Sequence, residues 1–376
     1  MVSFTYHGQA VGIVDSYCYL GIVFSASGTF KAAGEDIVDR ARRALFKLKQ
    51  YDVRTNVSLS LKLFDTLVMP VLRYCSEVWS VYYIKGLNES NFLKLCDSLV
   101  VEKIHVQFCK YLLGVGKKST NAAVKAEIGR HAVLPDLLAH SAKYWLRLCT
   151  HDPSSLVYKA YLDMFTDTNR TQDSNWVGGI QRIWTEFGMS GIWENQGSLY
   201  KHKAVKNLKK NMLDRYEHNW LAHVGLSPTF STAGTKLQTY IRVKQYFGLE
   251  NYIRVTKNFK WRQDMAKLRL SAHPLRIESG RYCRPPLPPE QRVCQYCNLG
   301  GVENEEHFLL DCTLYAEERY ELQQALSHIC PKFGNLAKSE LFSLILSMNN
   351  GDTELVKPIL KFVSDCFDKR SERGAL

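Results

Sequence analysis

The chain has 376 residues, 45% hydrophobic, with 49 Lys/Arg against 37 Asp/Glu and a formal net charge of +12. That length supplies two or three domains with buried cores. Its 11 cysteines, odd in number and scattered, exclude a secreted disulfide framework, and no signal pattern or apolar run of membrane-span length occurs, so the expectation is a soluble intracellular protein, cytoplasmic or nuclear, without a membrane partner.

Residues 3–25 alternate apolar and polar side chains (Phe4, Tyr6, Tyr17, Tyr19, Ile22, Phe24), broken at His7-Gly8 and closed by Ser27-Gly28. They read as two or three short antiparallel strands. The chain then turns helical. Residues 31–50 put Ala33, Ile37, Ala41, Ala44, Leu45 and Leu48 on one face and Arg40, Arg42 and Arg43 on the other. Residues 58–84 continue the pattern, and Pro70 predicts a kink or a split. Residues 89–113 form the next helix, ending at Gly114 and Gly116. A short helix over Asn121–Ile128 and another from Pro135 follow. The stretch Pro153–Asn175 is rich in Asp, Ser, Thr and Asn and reads as a loop or linker. Residues 176–235 are mostly helical, with a basic run at Lys201–Lys210.

Residues 236–282 interleave cations with aromatics, among them Lys257, Lys260, Arg262, Arg269, Arg276 and Arg281 beside Tyr240, Tyr246, Phe259 and Trp261. Cations neutralise phosphates and flat rings stack on bases, so the mixture suits nucleic acid. The same rings at helical spacing also read as core with the cations outside. Charge is uneven: residues 1–160 carry 20 Lys/Arg against 13 Asp/Glu, 161–282 carry 19 against 10, and 283–376 carry 10 against 14. The first three quarters suit a polyanion; the tail is acidic.

After an extended hinge at Pro285, Pro286, Pro288 and Pro289 come Cys294, Cys297, His307 and Cys312. Three thiolates and an imidazole at this spacing are the closed ligand set of a structural tetrahedral Zn²⁺, with Gly300 and Gly301 turning the chain between the halves. A His and a Cys five residues apart point about 140° away from each other on a straight helix, so the helix should break near Asp311–Cys312. Helices at Glu317–Leu326 and Leu355–Asp368 finish the chain. There is no pair of adjacent aspartates, no phosphate loop, no GxSxG and no HExxH. His105 and His131 read as packed or phosphate-contacting, so no catalytic residue is expected.

Several blocks, in order, resemble the C-terminal half of the reverse transcriptase of LINE-type (non-LTR) retrotransposons. They are Tyr19-Leu20-Gly21-Ile22 with Phe24-Ser25 and Gly28; Leu63 through Tyr74 with Glu77-Val78-Trp79; Glu102-Lys103-Ile104-His105 through Leu113-Gly114; and Thr120-Asn121 with Glu127-Ile128-Gly129-Arg130. Leu275 through Arg281 and the Cys/His module, with Val302-Glu303, Glu306-His307-Phe308 and Asp311-Cys312, complete the set. The resemblance implies a primer-grip hairpin at Tyr19 and Gly21, a thumb over residues 31–113 holding template–primer on Arg40, Arg42 and Arg43, and a zinc knuckle that meets nucleic acid. The catalytic aspartates have no counterpart, so the resemblance implies a C-terminal part without polymerase activity, from a degenerate element or a truncated gene.

The expected fold is therefore mainly α, in four parts: strands like the end of a polymerase palm over 1–30, a thumb-like helical domain over 31–150, a basic helical region over 151–282, and a CCHC zinc module with an acidic helical tail over 283–376. Expected partners are RNA, DNA or an RNA–DNA hybrid, with the polymerase portion or other element-encoded proteins. The alternatives are a zinc-stabilised protein-interaction scaffold and a relic without function.

Overall fold

A computed structural model describes residues 4–51, 53–170, 175–196, 201–224, 236–331, 333–348 and 353–374. The fold is mainly α with two small antiparallel strand pairs at the start. Among the described residues no helix is long and apolar enough to cross a membrane, and all eleven cysteines are free thiols. Two compact units each draw on three stretches of chain: 1–50, 63–105 and 132–216 in the first, 51–62, 106–131 and 217–376 in the second.

In the first unit, β1 (Thr5–Tyr6) pairs with β2 (Gln9–Ala10), and β3 (Ser16–Tyr19) with β4 (Ile22–Ser25). Ser3 lies outside the described residues. Leu20 and Gly21, at φ 46 and 75, form the two-residue left-handed turn that suits the twist of a tight hairpin. Ile22 buries against the helix Lys31–Lys49, while the Tyr74 hydroxyl donates to the Leu20 carbonyl at 2.7 Å and Arg40 Nη2 to the Gly21 carbonyl at 3.0 Å. That helix buries Ala33, Ile37, Ala41, Leu45 and Leu48 as its periodicity requires.

Pro70 does split its segment, leaving helices Val57–Leu67, Met69–Leu72 and Ser76–Trp79 and a 3-10 turn Ser80–Ile84. The single helix expected over 89–113 is two, Phe92–Ser98 and Glu102–Leu113, because Leu99 turns extended to bury its side chain. His105 is a packed histidine: its Nδ1 lies 2.9 Å from one oxygen of Glu102, whose other oxygen accepts the Val133 amide at 2.8 Å.

The expected linker at 153–175 is largely a helix, Leu156–Arg170; residues 171–174 lie outside the described residues. Asp163, Thr166 and Asp167 face solvent, and Tyr158, Tyr161 and Phe165 pack along the other side. Tyr161 accepts from Trp145 Nε1 at 3.3 Å, and Trp145 in turn stacks on Trp193. Polar composition concealed an amphipathic face.

The second unit closes around ion pairs sealed from water. The helix Asn121–Ile128 is buried from Ala122 onward. Glu127 on it holds Arg269 Nε at 2.5 Å and the Tyr252 hydroxyl at 2.8 Å. Glu250 holds Arg269 Nη2 at 3.0 Å and Lys244 Nζ at 2.5 Å. Arg269 also donates to the Leu346 carbonyl. Two carboxylates thus balance two cations. Burial opposes the Arg269 charge, but Glu127 and Glu250 outweigh it and hold the guanidinium protonated. Gly129 ends the helix at φ 68, and a Cβ there would stand 2.5 Å from the Leu249 nitrogen, so only glycine lets the two backbones meet. The helix Phe259–Arg269 lies along Thr353–Gly374, which is longer than the expected Leu355–Asp368; a helix at Lys338–Ser347 was not anticipated.

Removing one carboxylate from this cluster strands a buried cation. Glu127→Ala should lower stability by about 3–5 kcal/mol in urea unfolding, with faster amide exchange over 121–131 and 244–269. A loss under about 1 kcal/mol, the scale of a solvent-exposed pair, would show that the cluster is not what holds this unit.

Candidate metal centre

The segment entering the centre is extended at Pro288, as expected, but it is not a free hinge. Arg292, buried at 6% exposure, spends its guanidinium on backbone: Nε and Nη2 donate to the Leu287 carbonyl, and Nη1 to Ile277. Two arms then run antiparallel, with Val293 bridged to Val302 and the Cys294 amide donating to the Gly301 carbonyl at 2.9 Å. The turn Cys294–Cys297 closes on itself, the Tyr296 amide lying 3.4 Å from Cys294 Sγ.

The second half begins where Asn304 Oδ1 accepts the His307 amide at 2.8 Å. Residues His307–Asp311 form a π-turn, in which the Cys312 amide donates to the His307 carbonyl at 2.8 Å, and the helix ends at Cys312. A ring closed from residue i to i+5 sets the sixth residue beside the first. The expected break is there, and the widened turn brings His307 and Cys312 to one side.

The four donor atoms lie within 4.8 Å of one another. Cys294 Sγ and Cys312 Sγ are 3.8 Å apart, and Cys297 Sγ and His307 Nε2 are 3.4 Å apart. Ligands at about 2.3 Å (sulfur) and about 2.0 Å (nitrogen) around one tetrahedral ion stand about 3.8 Å and about 3.5 Å apart. The residues fit a metal ion, which Cys294, Cys297 and Cys312 would hold through sulfur and His307 through Nε2. With four protein ligands the ion has no open position, so the chemistry it supplies is structural.

Burial pushes the Cys294 and Cys312 thiols up, Cys312 to about 12 with the Cys294 thiol adding to the effect, and it pulls His307 down despite Asp311 and Glu303. Without metal, at neutral pH, those two thiols keep their protons and the imidazole is neutral. A bound cation reverses the thiol preference.

Around the ligands the chain is tightly fastened. The Glu303 carboxylate accepts the Arg276 amide at 2.8 Å and receives Arg370 at 2.9 and 3.0 Å. Phe308 packs on Tyr315 and Phe367, and Lys338 pairs with Glu306 and Asp311. Sequence reading did not foresee Asn304, Arg370 or Lys338. The Asn304-x-x-His307 spacing of a helix cap was the one available signal.

The bases expected to meet nucleic acid separate into two groups. Tyr19 is exposed on β3, Gly21 and Arg40 are joined by a hydrogen bond, and Arg42 and Arg43 are exposed on the outer face of Lys31–Lys49. Arg40 pairs with Asp36 at 2.7 Å and Arg42 with Asp39. In the 257–281 stretch Lys257 is exposed. Lys260 bridges Asp264 and Asp368 at 2.9 and 2.7 Å. Arg262 and Arg269 are corrections: both are fully buried, Arg262 donating to the Arg54 and Thr256 carbonyls, because their helix turns this face into the core. Arg276 is half-buried, and half-buried Arg281 pairs with Glu278 at 3.1 Å. Tyr240 and Tyr252 are core as well, whereas Tyr246 is exposed. His131 stacks on Phe247 and lies 2.7 Å from Glu217.

Comparison with family models, with curated proteins and with solved structures returns no match.

Metal uptake should release protons, because buried thiols must ionise to bind. In weakly buffered solution at pH 7 the apo chain should acidify its medium on titration with Zn²⁺. The apparent affinity should rise with pH through the neutral range, since Cys294 and Cys312 are pushed up. Binding that is indifferent to pH between 6 and 8 would show that these thiols are not the ligands.

Proposed function

We propose that this chain is a nucleic-acid-binding portion of a retrotransposon reverse transcriptase, one that holds template and primer and carries no catalytic centre. The bound ion is zinc, and its role is structural. The observation that carries the reading is the closed Cys₃His cluster at Cys294, Cys297, His307 and Cys312, whose donor spacing suits a tetrahedral thiolate-rich ion. Two further features support it. The resemblance blocks Tyr19–Ile22 and Leu63–Tyr74 touch through Tyr74 and Leu20, and the blocks Leu275–Arg281 and Val302–Cys312 touch through Arg276 and Glu303.

Binding in this reading is electrostatic and indifferent to sequence, carried by the outer face of Lys31–Lys49 with Arg42 and Arg43 foremost. RNA, single-stranded DNA and an RNA–DNA hybrid are the ligands. The scaffold reading is favoured by two observations: Arg262 and Arg269 are buried and Lys260 is held in ion pairs at the surface, and the tail is acidic.

A salt series on an RNA–DNA hybrid, with and without zinc, separates the two. A steep negative slope in both states places binding on the helices, and a slope lost with the metal places it on the zinc module. The double variant Arg42→Ala/Arg43→Ala should flatten the log–log slope by up to about 2. No binding at low salt with zinc present would overturn the nucleic-acid reading in favour of the scaffold.

A further inference from the structure

In the second unit the helices Glu102–Leu113 and Asn121–Ile128 are joined by the loop Gly114-Val115-Gly116-Lys117-Lys118-Ser119-Thr120. The loop is pinned along its length. Gly114, at φ 67, accepts from Gln263 Nε2 at 2.7 Å through its carbonyl. The Val115 amide donates to the Lys110 carbonyl at 3.1 Å, and the Ser119 amide to the Gly116 carbonyl at 3.1 Å. Lys110 Nζ donates to the Lys117 carbonyl at 2.7 Å. Held this way, the loop leaves the Lys117 and Lys118 side chains exposed.

Further cations and one ring gather at this loop. Lys118 Nζ stands 5.0 Å from the centre of the Tyr282 ring, which ends the turn Gly280–Tyr282 and is 58% exposed. Burial pulls the half-buried Lys110 ammonium down, and the like charge of Lys236 adds to the effect.

The carboxylates around Lys236 are committed to other cations. Glu278 feels Lys236 but is 4% exposed and pairs with Arg281 at 3.1 Å. Glu305 pairs with His273 at 3.0 Å and Glu306 with Lys338 at 3.4 Å. Among the described residues none of Lys110, Lys117, Lys118 and Lys236 pairs with a carboxylate. On the helix Lys31–Lys49, by contrast, Arg40 and Arg42 each have an aspartate. Like charges gathered without a counter-charge repel one another, and an anion laid across them relieves that cost. The exposed ring narrows the choice of anion, because bases stack on flat aromatic faces while phosphates meet the cations beside them.

We propose that this loop and Tyr282 form a contact surface for single-stranded nucleic acid, with backbone phosphates against Lys117, Lys118 and Lys236 and one base stacked on the Tyr282 ring. A duplex offers the same phosphates, but its bases are already stacked on one another, so the ring favours a single strand. The inference rests on the nucleic-acid reading above and adds to it a contact surface in the second unit.

The test measures fluorescence anisotropy of labelled oligo(U), and of its duplex with oligo(A), on the full-length zinc-loaded chain across a salt series. Lys117→Ala/Lys118→Ala should flatten the log–log slope on oligo(U) by about 1.4, two phosphates at about 0.7 each. Tyr282→Ala should weaken oligo(U) roughly 5- to 150-fold at unchanged slope and leave the duplex unaffected, whereas Tyr282→Phe should keep the binding. All three positions are exposed, so the variants should match the unaltered chain in circular dichroism and zinc content. An unchanged affinity and slope in the lysine double variant overturns the proposal. A loss in Tyr282→Ala that is equal on single strand and duplex, or is shared by Tyr282→Phe, also overturns it. Both results leave the nucleic-acid reading in place. Binding to vesicles of anionic phospholipid without any oligonucleotide binding overturns the proposal and that reading together.

Discussion

Arg269, with no exposed surface, sits between Glu127 and Glu250, and the second unit is arranged to keep it there. A lone guanidinium in that position would be prohibitive to bury, and each carboxylate beside it would be too. The cost is met by completeness: Lys244 neutralises the second carboxylate, the Tyr252 hydroxyl takes a further lone pair of Glu127, and the Leu346 carbonyl takes another guanidinium proton. The partners arrive from several separate elements, so the cluster forms only when all of them are in place. Swapping such a network for apolar residues of the same shape can be neutral or stabilising; its effect here is to specify which elements meet.

The metal centre depends on the same logic at closer range. Its four donors are held by short local devices: the Tyr296 amide on Cys294, the Asn304 cap on His307, and the π-turn that carries Cys312 back to its partner. These are then tied to the unit by Arg370 on Glu303 and by Phe308 on Phe367. A module so fastened is not a free bead on a proline linker. Losing the ion should be felt along Thr353–Gly374, which supplies Arg370 and Phe367, before it is felt in the other unit.

What could be read from the sequence follows the range of the interactions involved. The helix Lys31–Lys49 declares itself because its apolar residues recur every turn, and the ligand set declares itself because four donors fall within one short window. The break at Cys312 was required by helix geometry alone, although the i to i+5 ring that realises it was not. The helix Leu156–Arg170 was hidden because its Asp and Thr residues dominate composition, while Tyr158, Tyr161 and Phe165 mark only one narrow face. The buried cations were the hardest case. Arg262 and Arg269 look like Lys257 in sequence, and the partner that draws Arg269 inward, Glu127, is 142 residues away.

That last distinction bears on function, since net charge counts buried and exposed cations alike. Of the surplus in 161–282, Lys244, Arg262 and Arg269 cannot reach a phosphate without unfolding the unit, and Lys260 is held by Asp264 and Asp368. The positive charge that faces solvent is therefore smaller than the +12 of the chain and lies with cations that stand outward, Arg43 and Lys257 among them. At the metal centre Arg292 is spent on its own backbone, and Glu303 and Glu306 stand close to the ligand residues.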